Sequence, residues 1–88
     1  MLSLPPLLTH DHAKACLEQL AAGVPAESAQ VVVDAAALRN FDSSALAVLL
    51  ALRRECARAG KRFAVQGLPK RLMDLATLYG IEGLLPSV

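Results

Sequence analysis

Residues 31–60 read VVVDAAALRNFDSSALAVLLALRRECARAG, and this stretch decides the fold class. It opens on Val31-Val32-Val33, a β-branched run of the kind expected from a strand covered on both faces at the centre of a sheet. A short connection, Ala35 to Phe41, leads to the turn Asp42-Ser43-Ser44. From Ala45 to about Ala59 the spacing predicts a long helix. Its first half (Leu46, Val48, Leu49, Leu50, Leu52) is apolar nearly all round and must be largely buried. Its second half carries Arg53, Arg54, Glu55 and Arg58, and Gly60 follows in the position where helices end in a left-handed residue.

Upstream, Leu2 to Leu8 is apolar but contains Pro5 and Pro6. Proline has no N–H for a ladder, so this segment reads as an edge strand or an extended lead-in. Thr9 offers an N-cap for a first helix that turns Ala13, Cys16, Leu17 and Leu20 inward and Lys14, Glu18 and Gln19 outward. Gly23 and Pro25 stop it. Downstream, Phe63 and Val65 alternate with Arg62, Ala64 and Gln66 as a second strand. Pro69 opens a third helix whose inner stripe is Leu72, Leu75, Ala76 and Tyr79, and Gly80 terminates it. The apolar tail from Ile81 to Val88, with Pro86, adds at most a short edge strand. Strands alternating with helices favour parallel pairing, so the expectation is an α/β domain spanning 1–88. Its sheet has three to four strands and its three helices cover one face.

Composition narrows the function classes. Of the 88 residues 55% are hydrophobic and 19% charged, too apolar for a disordered chain. A net charge of +1 makes no demand for nucleic acid or membrane. No apolar run approaches the roughly 18 residues of a spanning helix, and no basic residue precedes Lys14 as a signal peptide would require. A cytoplasmic protein without direct membrane insertion is the simplest expectation. Cys16 and Cys56 form no ligand-spaced set and read as two buried free thiols. His10 and His12 stand two apart on a helix and point to opposite sides, so with Cys16 they make no metal site.

No catalytic set is visible either. The chain has no Gly-rich phosphate loop, no HExxH and no GxSxG, and Ser43 has an acidic neighbour but no oriented base. The expectation is a protein that is not an enzyme and takes no cofactor. Asp42, Ser43 and Ser44 are all ordinary helix-capping residues. They also stand beside unpaired backbone N–H groups at the mouth of a long helix, where an anion is favoured. Seven of the nine basic residues (Arg53, Arg54, Arg58, Lys61, Arg62, Lys70 and Arg71) fall between 53 and 71, against one acid in that span, Glu55. They read as solvated cations at a helix end or as a patch facing an acidic partner or lipid headgroups. No nucleic-acid-binding motif accompanies them.

The Val-rich strand, short loop, Asp42-Ser43-Ser44 turn and apolar helix together resemble the STAS domain family, over about the last two-thirds of the chain. That family includes sulfate-transporter tails and bacterial anti-sigma factor antagonists. Within it, Gln66-Gly67, Leu75-Ala76, Leu78-Tyr79 and Leu84-Leu85-Pro86 look most like the STAS subunit of the Mla phospholipid-transport complex, the MlaB-like branch. The resemblance implies a non-catalytic cytoplasmic module that binds the ATPase subunit of an ABC transporter through Asp42, Ser43 and Ser44. It also implies an alternative, an anti-sigma factor antagonist. There the residue matching Ser43 is phosphorylated by an anti-sigma factor kinase, and phosphorylation releases the partner. Two departures stand out: Ala45 replaces the Gly of many relatives, and the usual pair of opening strands is shortened to Leu2–Leu8. A shortened sheet leaves an edge through which a homodimer could form.

Overall fold

The computed structural model describes all 88 residues. The three long helices are α1 (His10–Gly23), α2 (Ser44–Arg58) and α3 (Lys70–Leu78). The strands are β1 (Leu2–Ser3), β2 (Leu7–Leu8), β3 (Gln30–Asp34), β4 (Asn40–Phe41) and β5 (Arg62–Gln66). The main sheet has the order β1-β3-β5, all parallel, with Val31 opposite Phe63 and Val33 opposite Val65. The tail adds one parallel bridge, Ser87 beside Val65, so the expected fourth strand is a single rung. β2 and β4 form a separate parallel ladder.

Both crossovers, β1-α1-β3 and β3-α2-β5, step across the sheet in the same direction. Connections of one hand then put α1 and α2 on the same face, where they pack on each other. Under them lie Val31, Val33 and Val65, all nearly inaccessible, with Leu46, Leu49, Leu52 and Cys56 from α2 and Cys16 and Leu20 from α1. All 21 buried residues are apolar. Polar chemistry is therefore left to the surface.

Several sequence expectations need correction. Val32 is only half-buried between buried Val31 and Val33. β3 is thus covered fully on one face, and its β-branched run reflects strand propensity rather than two-sided burial. The Leu2–Leu8 segment is two strands: Pro5 and Pro6 separate a rung on the main sheet from a rung on β4. The connection Ala35 to Phe41 holds that short partner strand. Pro69 is the N-cap of α3 rather than a first-turn residue. Tyr79 leaves the inner stripe, 58% exposed, because α3 ends at Leu78 and the chain reverses at Gly80. Leu72 and Ala76 do face inward.

The ends of α2 are as the sequence indicated. Gly60 has φ 72°, and the N–H of Lys61 donates to the Cys56 carbonyl in the six-to-one bond of a left-handed helix stop. Cys16 and Cys56 are free and buried, and burial pushes both thiols up from their ordinary range. No helix is long and apolar enough to cross a membrane.

Candidate functional site

The Asp42-Ser43-Ser44 turn sits where β4 hands over to α2. Its three residues do three different things. Asp42 is exposed, yet its carboxylate is directed at backbone: Oδ1 accepts from the Ser44 N–H at 2.8 Å and Oδ2 accepts from the His10 N–H at 3.1 Å. One side chain therefore satisfies an orphan donor at the start of α2 and another at the start of α1. The β2–β4 ladder makes this reach possible, because the parallel pairing of Leu8 with Phe41 brings the chain that follows each strand, at His10 and at Asp42, close together. The Ser44 N–H above all holds the Asp42 carboxyl below the usual carboxylate range; desolvation opposes it, and the His10 N–H, the Ser44 hydroxyl and the nearby His10 ring add to the lowering.

Ser43 already has helical backbone angles, φ −61° and ψ −16°. It is exposed, and its hydroxyl caps no backbone group. The Ser43 carbonyl accepts from the N–H groups of Leu46 and Ala47, the first bonds of the helix that Ser43 caps by position. Ser44 is half-buried and supplies the N–H that Asp42 holds. The sequence placed all three residues in one turn. The structure separates Asp42, committed to the fold, from Ser43, committed to nothing.

Around Ser43 the surface continues in two directions. One turn along α2, Ala47 is exposed and Ala51 half-buried. With Ala13 and Leu17 of α1 they line a shallow apolar groove of about 350 Å³, flanked by Lys14 and Arg54. On the other side, Arg71 of α3 lies 4.9 Å above the Phe41 ring, next to Asp42. The starts of all three helices thus gather at one end of the molecule. Sequence reading had not found the groove, although Ser43, Ala47 and Ala51 stand four apart and share a helix face. It had also assigned the cap of α1 to Thr9. Thr9 occupies the cap position without a side-chain cap bond, and its hydroxyl instead lies 3.1 Å from His12 Nδ1.

The basic residues do not form one patch. Arg58 pairs with Glu55 at 2.9 Å, Lys70 with Asp74 at 2.8 Å, and Arg71 stacks on Phe41. Lys61 turns its ammonium onto the carbonyls of Val24, Pro25 and Glu27 at 2.6–3.1 Å. Arg53, Arg54 and Arg62 make no ion pair.

No curated protein matches the chain. A family model described as "Mlab, STAS domain" matches residues 1–86, nearly the whole length and including the shortened opening strands. The small parallel sheet under its helices, the exposed hydroxyl at the mouth of α2 and this match lead to one conclusion: the chain belongs to the STAS domain family, in the group that the Mlab description covers.

Proposed function

We propose that residues 1–88 act as one non-catalytic domain that seats a partner protein on the Ser43 end of α2. The partner is the cytoplasmic ATPase subunit of an ABC-type phospholipid transporter, whose assembly and activity the domain supports. The observation that carries this reading is the division of labour within the turn. Asp42 locks the starts of α1 and α2 together, while the Ser43 hydroxyl beside it is exposed and unbonded within its cap. A rigid backbone presenting a free hydroxyl beside an apolar groove suits protein recognition, because little ordering entropy is lost on docking. Family membership supports the class of partner. The turn's one carboxylate is spent on two N–H groups, which argues against its use as a general base.

The test is co-purification with the transporter ATPase from the same organism. Ser43→Arg places a bulky charge on the exposed first turn without disturbing Asp42, and it is expected to abolish the complex while leaving the melting temperature unchanged. Undiminished co-purification would reject the proposal. The uncommitted hydroxyl also suits the second reading, an anti-sigma factor antagonist switched at Ser43. Incubation with an anti-sigma factor kinase and ATP, followed by intact-mass measurement, separates the two. A single phosphate on Ser43 supports signalling, and an unmodified mass supports the transporter reading. Both readings keep the domain in the cytoplasm, at the inner membrane through its partner in the first.

A further inference from the structure

The last edge of the main sheet is only partly covered. Along β5 the backbone groups of Arg62, Ala64 and Gln66 face β3, as the bonds from Arg62 N–H to the Ala29 carbonyl and from Ala35 N–H to the Gln66 carbonyl show. Strand alternation turns Phe63 and Val65 to the other edge. There the tail bonds to Val65 alone: Val65 N–H donates to the Pro86 carbonyl and Val88 N–H donates to the Val65 carbonyl. Beside Phe63 the edge opens into a groove of about 420 Å³. Arg53, Lys61 and Arg62 line it with no acid among them. Lys61 contributes charge only, since its donors are held by three carbonyls, whereas the exposed Arg53 and Arg62 have no ion-pair partner.

We propose that this groove is a second docking site, taking an extended acidic segment of a protein partner. The occupant would place backbone beside the N–H and C=O of Phe63 and carboxylates against Arg53 and Arg62, in the manner of strand addition at a sheet edge. The presence of both a donor and an acceptor on the open rung favours a peptide over a simple anion, which uses donors alone. Charge selects between an acidic peptide and a second copy of this chain. A two-fold pairing brings the same patch against itself, and here that sets Arg53, Lys61 and Arg62 of each copy against the same three cations. The site is separate from Ser43: Arg53 stands ten residues further along α2, about 15 Å by helical rise.

The test titrates the full chain with a capped octapeptide of alternating glutamate and threonine, followed by amide NMR. Saturable shifts at Phe63 and along the Arg53 and Arg62 region are expected. The double variant Arg53→Glu, Arg62→Glu should weaken binding at least about tenfold, a modest demand for reversing two unpaired charges. Both side chains are exposed, so the variant keeps its fold, and its unchanged melting temperature would establish that. A lysine–threonine counterpart should not bind, and Ser43→Arg should bind the acidic peptide as well as the wild type does. The proposal is overturned if the Phe63 amide does not move, or if inorganic pyrophosphate gives the same shifts. Sedimentation showing self-association that masks Phe63 would also overturn it.

Discussion

Helices α2 and α3 come from similar-looking stretches of sequence, yet the fold uses them unequally. α2 buries Ala45, Leu46, Val48, Leu49, Leu52 and Cys56 and is tied at both ends to distant chain. Asp42 joins its start to α1, and Lys61, just past its end, holds the loop at 24–27. α3 buries only Leu72 and Ala76, and it leaves Leu78 78% and Tyr79 58% exposed. The lesson concerns the candidate site. Ser43 stands at the start of the helix that buries the most side chains of the three and is tied to distant chain at both ends. Recognition by a prepared surface loses less free energy to ordering than recognition by a mobile one.

The contrast is sharpest in the core. Leu49→Ala, at a fully buried position, is expected to cost about 2–5 kcal/mol in denaturant unfolding, enough to remove much of a small domain's stability. If the loss were below about 1 kcal/mol, α2 would not be the more firmly held of the two helices. Lys61→Met removes the donor shared by three carbonyls and is expected to cost about 1–3 kcal/mol, read the same way. Asp42→Asn should lower the melting temperature modestly near neutral pH, because it removes the charge from an acceptor that serves two backbone N–H groups. Because folding holds the Asp42 carboxyl below its unfolded value, its stabilisation is complete above the ordinary carboxylate range near pH 4 and disappears as pH falls through the lowered folded-state value. The gap between wild type and Asp42→Asn should therefore close on acidification, and a constant gap from pH 7 to 2 would contradict the assignment. The smallest effect is expected at Leu78→Ala, within about 0.5 kcal/mol of wild type, since the side chain is already in water. Native-state hydrogen exchange completes the comparison: α3 amides should open at lower free energy than those of α2.

Much of this was legible in the sequence because it is local. The valine run, the 3.6-residue periodicity of the helices, the glycine after α2 and the three capping residues at 42–44 each act within a few positions. These features located three helices, two of the main-sheet strands and an exposed Ser43. The short rungs at Leu7–Leu8 and Asn40–Phe41 escaped, since two residues carry no periodicity to read. Tyr79 was misplaced because a stripe extrapolated in sequence continues past the point where the chain turns.

What the sequence determined by itself is the order of elements, their apolar faces and the candidate turn. Only the tertiary structure decided what each residue of that turn does. Asp42 bonds a backbone group 32 residues away, and Lys61 reaches carbonyls 34 to 37 residues away. The physical reason is range. Periodicity and capping preference are fixed by neighbours along the chain, whereas a hydrogen bond between distant segments exists only once strand register has brought donor and acceptor together.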